Sequence, residues 1–177
     1  MVYVLLAEGF EEVEALTPVD LLRRAGVETR LVGVTGETVC GARGIRGVTD
    51  LPMDADMIVL PGGMPGTTNL YADKRVTSAV RAMYEAEKYV AAICAAPSVI
   101  LGGMGLLKGR RATCYPGMED GMEGAEAVPA TCVTDGKIIT ACGVGGALDF
   151  ACALITALIS REKADEIAFS VVYHAAN

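Results

Sequence analysis

The segment Tyr89-Val90-Ala91-Ala92-Ile93-Cys94-Ala95-Ala96-Pro97-Ser98-Val99-Ile100-Leu101 constrains the fold more than any other part of the chain. Its apolar first half reads as a buried strand. Its second half reads as a helix that starts at once, with Pro97 in the first turn, where a missing N–H costs little. Ala92, Ala95 and Ala96 leave room for a sharp reversal between the two. One reactive atom, the Cys94 sulfur, sits at that reversal, as in a nucleophile elbow with Cys in place of Ser. Free N–H groups and the helix dipole at such a turn favour thiolate over thiol. The plain alternative is a small buried hydrophobe, the commonest fate of a free cysteine. The segment alone leaves both readings open.

The rest of the chain supplies a sheet for this strand to join. Val2 to Ala7 and Met57 to Leu60 are continuous apolar runs, the pattern of central strands buried on both faces. Glu28 to Val34 predicts another strand, with Arg30 at an exposed point. Thr35 to Asp50 predicts a short Gly-rich hairpin. Val13 to Ala25 has helical spacing, with a kink or a late start at Pro18 and a stop at Gly26. Asp73 to Lys88 is helical through Val76, Val80, Met83 and Tyr84. Arg111 to Tyr115 is a candidate strand, and Gly117 to Gly124 an exposed acidic loop. Asp135-Gly136 predicts a hairpin between Val128–Thr134 and Lys137–Cys142. Helices over Ala147–Ser160 and Arg161–Val172 close the chain. This alternation predicts a doubly wound α/β sandwich with a mostly parallel sheet and helices on both faces. Ligands in such folds bind beyond the carboxyl ends of the strands. The loops after Ala7, Leu60 and Ile93 should therefore converge and bring Glu11, Glu12 and Glu14, the Gly62-Gly63 turn and Cys94 together.

With 177 residues, 52% of them apolar, the chain is expected to form one domain with a substantial core. A net charge of −7 argues against nucleic acid and against an anionic membrane surface as partners. Tyr89 to Leu107 is uncharged, but Pro97, Ser98 and three glycines make two buried elements a better reading than a membrane span. The six cysteines include no CxxC pair, and His174 is the only histidine, so no metal site is expected. No secretory signal is evident, which points to the cytoplasm and reduced thiols. Phosphate-loop and dinucleotide fingerprints are missing, and no cofactor is expected. Gly143-Val144-Gly145-Gly146 reads as backbone packed close to the elbow rather than as an anion site.

Three pieces in order, Glu8-Gly9-Phe10-Glu11-Glu12-Val13-Glu14, Val59-Leu60-Pro61-Gly62-Gly63 and Ala91-Ala92-Ile93-Cys94-Ala95-Ala96-Pro97, resemble the ThiJ/PfpI superfamily. The resemblance is strongest to the branch of the parkinsonism-associated deglycase and its bacterial relatives, and it spans nearly the whole chain. It implies a flavodoxin-like sandwich, akin to class I glutamine amidotransferase domains. It also implies Cys94 as the reactive thiol, Glu14 as the carboxyl beside it, and the backbone N–H groups of Gly63 and Ala95 as an oxyanion hole. Gly62, Tyr115 and Arg43 are candidate pocket residues. A carboxyl buried beside a thiolate should hold its proton. Without the resemblance, Glu14 would be read as an acid at a helix N-terminus that complements the dipole, the reading kept for Glu11 and Glu12.

Tyr115 stands where many relatives of that family carry a histidine, and Ala95 where its peptidases carry another. The late His-x-Glu pair of amidotransferases is missing. Peptidase and amidase chemistry are therefore disfavoured. The resemblance leaves two expectations. One is an enzyme on a small-molecule aldehyde or dicarbonyl, of the glutathione-independent glyoxalase or deglycase type. The other is an oxidative-stress sensor or protective protein whose Cys94 oxidises with little turnover. The family also implies a homodimer, with Val13–Ala25 and Cys40–Thr49 near the interface and Arg43 directed at the neighbouring site.

Overall fold

The computed structural model describes residues 1–34, 36, 38–44, 46–48 and 55–174. A six-stranded sheet carries the fold, in the order β2-β1-β5-β6-β10-β9. Its strands are β1 (Val2–Leu6), β2 (Thr29–Gly33), β5 (Met57–Leu60), β6 (Tyr89–Ile93), β9 (Cys132–Asp135) and β10 (Ile138–Ala141). All pairs are parallel except β9 with β10, the hairpin around Asp135-Gly136.

The continuous apolar runs of β1, β5 and β6 follow from burial on both faces. Val2, Val4 and Leu6 point into one core with Met57, Val59, Ala91 and Ile93. Helices α1 (Glu12–Arg24), α4 (Ala147–Leu158) and α5 (Arg161–Ser170) cover that face. Tyr3, Leu5, Ile58, Leu60, Val90 and Ala92 point into the other core. Helices α2 (Gly66–Ala72) and α3 (Lys74–Glu85) and the helix after the elbow close that side. This alternation is the period of two along a strand, read on two buried faces.

Helix α1 starts where the Glu11 side chain accepts the Glu14 N–H at 2.8 Å. It runs through Pro18 without a late start. It ends at Gly26, whose φ of +81° lets Gly26 and Val27 bond back to Arg23 and Leu22. Four further elements depart from the expectations. Helix α2 falls in a stretch left unassigned by the sequence. The helix after the elbow, Pro97–Gly102, is wound wide, with Gly103 N–H bonding back to Ser98 at 3.3 Å. The strand expected over Arg111–Tyr115 shortens to β7 (Arg111–Ala112), which pairs in parallel with β8 (Glu126–Ala127). In the expected acidic loop, Glu119–Gly121 form a short turn of helix and Met122 is buried.

The chain reverses its direction of travel across the sheet at β1, which lies between β2 and β5. The crevice at that switch point opens beyond the carboxyl ends of the strands. The hairpin of β3 (Thr38–Cys40) and β4 (Arg46–Val48) docks there on the loop after β1. Gly9 N–H bonds to Cys40 O, and Ala42 N–H to Phe10 O, each at 2.8 Å. The part of the expected interface at Thr49 lies outside the described residues.

Candidate active site

Cys94 ends β6 with φ at +66°, a left-handed conformation that an L residue adopts only when its surroundings enforce it. Two backbone bonds do so. Cys94 N–H donates to Ala141 O at 2.9 Å, and Tyr115 N–H donates to Cys94 O at 2.8 Å. The turn rotates the cysteine out of strand alternation and leaves it half-buried against the core shared by α1 and α4. This is the expected elbow.

The loop after β5 fits against it. Glu11 N–H donates to Gly62 O at 3.0 Å, which ties the β1 and β5 loops together. Gly63 takes φ of +87°, and a Cβ there would lie 2.5 Å from Glu11 N, so only glycine fits. The N–H groups of Gly63 and Ala95 lie toward the Cys94 sulfur and favour its charged form.

Glu14 lies in the first turn of α1 and is 1% exposed. One carboxyl oxygen, Oε2, accepts the Gly62 N–H at 2.9 Å. The other, Oε1, is buried and has no partner of regular hydrogen-bond geometry among the described residues. Burial pushes the Glu14 carboxyl from its ordinary 4.5 up to about 7, against the opposing pulls of the Cys94 side chain and the Gly62 and Val144 N–H groups. A buried carboxyl oxygen with no regular partner, beside a sulfur, is well placed to carry a proton toward it.

The sulfur itself departs from the expected low-pKa thiolate. Burial, followed by the Glu14 charge and its hydrogen bond, pushes the Cys94 thiol up to about 12, and the Ala95 and Gly63 N–H groups only partly offset this. Two negative charges are disfavoured in this space, so an ionised Glu14 opposes the thiolate of Cys94. With Glu14 ionised the sulfur keeps its proton. With Glu14 protonated, the carboxyl donates, and the two N–H groups favour thiolate.

The remaining candidates separate. Gly62 is packed between the two reactive groups, since a Cβ there would lie 2.6 Å from both Cys94 Cβ and Glu14 Oε2. Tyr115 flanks the site, with its ring near Gly143. Arg43 has an exposed side chain that bonds its own hairpin, and its N–H donates to Glu12 Oε1. Glu12 is therefore a buried clamp on the hairpin rather than a solvated first-turn charge, and Glu11 is the cap of α1. His174 is exposed and lines a separate groove with Asp149 and Tyr173. A Cβ on Gly143 would meet the Cys94 sulfur only at 3.9 Å, an ordinary contact, and Gly146 packs closely against Thr131 O rather than against the elbow. Sequence reasoning missed Val144, whose N–H acts on Glu14; its place after Gly143 was the available signal. No group of three metal-ligating side chains occurs among the described residues, and no helix among them is long and apolar enough to cross a membrane.

Comparison with known proteins places the chain in a family. The chain is 36% identical to Protein DJ-1 homolog B of Arabidopsis thaliana over 97% of its own length, and it spans 41% of that relative. It spans less than half of a second Arabidopsis relative, Protein DJ-1 homolog A. It is 33% identical to Deglycase PH1704 of Pyrococcus horikoshii, over 78% of this chain and 87% of that one. The structure superposes on oxidized Toxoplasma gondii DJ-1 with a TM-score of 0.92 and 34% identity, covering 97% of each chain. Residues 1–157 match the DJ-1/PfpI family, and the chain belongs to that family.

Proposed function

We propose that this protein is a cysteine-dependent enzyme acting on small reactive dicarbonyls, without glutathione. The observation that carries this reading is the buried Glu14 carboxyl, fixed by the Gly62 N–H and packed with the Cys94 sulfur around Gly62. Cys94 adds through sulfur to the aldehyde carbon of a compound such as methylglyoxal, and its thiol proton passes to the Glu14 carboxylate. The Gly63 and Ala95 N–H groups hold the developing oxyanion. That oxygen takes up the proton, which gives a hemithioacetal. Glu14 then removes the proton from the carbon bearing sulfur and returns it to the neighbouring carbon, while the hydroxyl proton on the first carbon moves to the oxygen of the second. The product is a thioester. Water cleaves it to lactate and frees the thiol, so the sum is dicarbonyl plus water to hydroxy acid. Glycated thiols and amines offer the same carbon to the same sulfur, and the deglycase name of the Pyrococcus relative supports their inclusion. The test is lactate formation from methylglyoxal by wild type and by Cys94→Ala.

A redox sensor would use the same sulfur, but it calls for a standing thiolate. Carbonyl addition can form its thiolate at the moment of attack, with the adjacent Glu14 carboxylate accepting the proton.

We also infer a homodimer. Val13 and Leu16 are 46% and 38% exposed on α1, beside the hairpin that carries Arg43. A dimer mass by light scattering at micromolar concentration is expected. A monomer mass would contradict it.

A further inference from the structure

A groove of about 840 Å³ lies between α4, α5 and the hairpin of β9 and β10, and none of its lining residues belongs to the Cys94 site. Its volume is that of a small-molecule site. Three aromatic rings (Tyr89, Phe169 and Tyr173) and two carboxylates (Asp149 and Asp165) line it. The two acids differ. Asp165 is paired with Arg161 of the same groove at 2.8 Å, so those charges cancel. Asp149 has no ion pair among the described residues, and its Oδ1 accepts the neutral Tyr173 hydroxyl. Its place in the first turn of α4 offers only the partial charge of a helix end. The Asp149 charge is felt nearby: after burial, it is the main influence that pushes up the Cys132 and Cys152 thiols.

The rings suit a cation. Tyr89 already holds the Lys137 ammonium over its face, 3.9 Å from the ring centroid. Phe169 is 78% exposed on α5, so its ring is left for a ligand to cover. Tyr173 stands beside Asp149 through its hydroxyl. A cation set over an aromatic face next to a carboxylate is attracted by both, and more strongly where water is partly excluded. An anion would be repelled by Asp149, and a neutral ligand would leave its charge unmatched. A bare metal ion lacks ligands, since no group of three ligating side chains occurs among the described residues. We propose that this groove binds an organic cation, an ammonium group on an apolar or aromatic body, with Asp149 as the counter-charge and Phe169 and Tyr173 as the aromatic contacts.

The test titrates the ¹⁵N-labelled full chain with benzyltrimethylammonium, whose charge is permanent, and with neutral benzyl alcohol, at constant ionic strength. The ammonium should give saturable amide shifts by about 10 mM, the range of a fragment-sized ligand. The shifts should centre on Tyr89, Cys152, Phe169 and Tyr173 and leave Cys94 unmoved. Benzyl alcohol should bind at least about fivefold more weakly. Asp149→Asn, which keeps an oxygen for the Tyr173 hydroxyl, should weaken the ammonium about tenfold and leave benzyl alcohol unchanged. Phe169→Ala should weaken the ammonium about threefold, the value of one aromatic contact to a cation. Circular dichroism establishes that both variants fold. Should Asp149→Asn not fold, the comparison of ammonium with alcohol in wild type and Phe169→Ala decides the matter, because Phe169 is exposed. No saturable shift with the ammonium, shifts centred elsewhere, or equal affinity for the two compounds would overturn the proposal. So would a folded Asp149→Asn that keeps wild-type affinity. None of these readouts depends on turnover at Cys94.

Discussion

Glu14→Gln is expected to lose turnover and gain stability together. Without a carboxyl, no group carries the proton between the two substrate carbons, and a fall of about 10²- to 10⁴-fold in kcat is expected. The stability effect follows from the direction of the pKa change. Glu14 is raised from 4.5 to about 7 in the fold. Below about pH 4.5 the carboxyl is neutral in both folded and unfolded chains, so wild type and variant should differ little. Between about pH 4.5 and 7 the unfolded chain ionises while the folded one resists, and wild type loses stability as pH rises. Above about pH 7 the loss is complete, at about 3 kcal/mol for a shift of this size. The amide cannot ionise, and its oxygen can still accept the Gly62 N–H. Urea denaturation should therefore show Glu14→Gln more stable than wild type near pH 8 and similar near pH 4. A variant less stable near pH 8 would mean that Glu14 is not held against its own ionisation.

Gly62→Ala is expected to remove activity by geometry alone. The added methyl would sit 2.6 Å from Cys94 Cβ, 2.6 Å from Glu14 Oε2 and 3.0 Å from Cys94 Sγ. No rotamer relieves a clash made at Cβ, so the carboxyl and the sulfur must part. Overpacking of this kind costs about 1–3 kcal/mol, and the proton transfer between the two groups is broken as well. Gly145→Ala is the control, because a Cβ there meets nothing within 4 Å. Thermal melts and methylglyoxal turnover should both fall for Gly62→Ala and stay near wild type for Gly145→Ala. Equal behaviour of the two would show that the pair does not depend on a glycine at position 62.

The sheet was legible because each central strand is apolar on both faces, a pattern that Val2–Leu6 and Met57–Leu60 carry without interruption. Asp135-Gly136 marked its hairpin for a local reason, the left-handed turn that glycine allows. Helix α2 was not legible. It has seven residues, too few to show a helical repeat, and it has no side-chain cap. Strands β7 and β8 have two residues each and are defined by their pairing, which no local pattern records.

At the site, the elbow could be read from small residues around Cys94, and the structure gives it the left-handed φ that such a turn needs. Glu14 was different. Its position on α1 fits a dipole-complementing acid equally well, and the family resemblance singled it out. Only the tertiary contact with Gly62, 48 residues away in sequence, shows that it faces the sulfur. The net direction of the thiol's shift was not legible. The helix-end argument considers the N–H groups, which do pull the sulfur toward thiolate, but burial and the Glu14 charge outweigh them. Neither opposing effect is visible until the loops are brought together.

The most direct measurement is lactate formation from methylglyoxal, without glutathione, by wild type and Cys94→Ala. Steady turnover by wild type and none by Cys94→Ala is the expected result. Turnover that survives in Cys94→Ala, or a wild type that forms no lactate although its Cys94 can be alkylated, would contradict the assignment of this site to carbonyl chemistry.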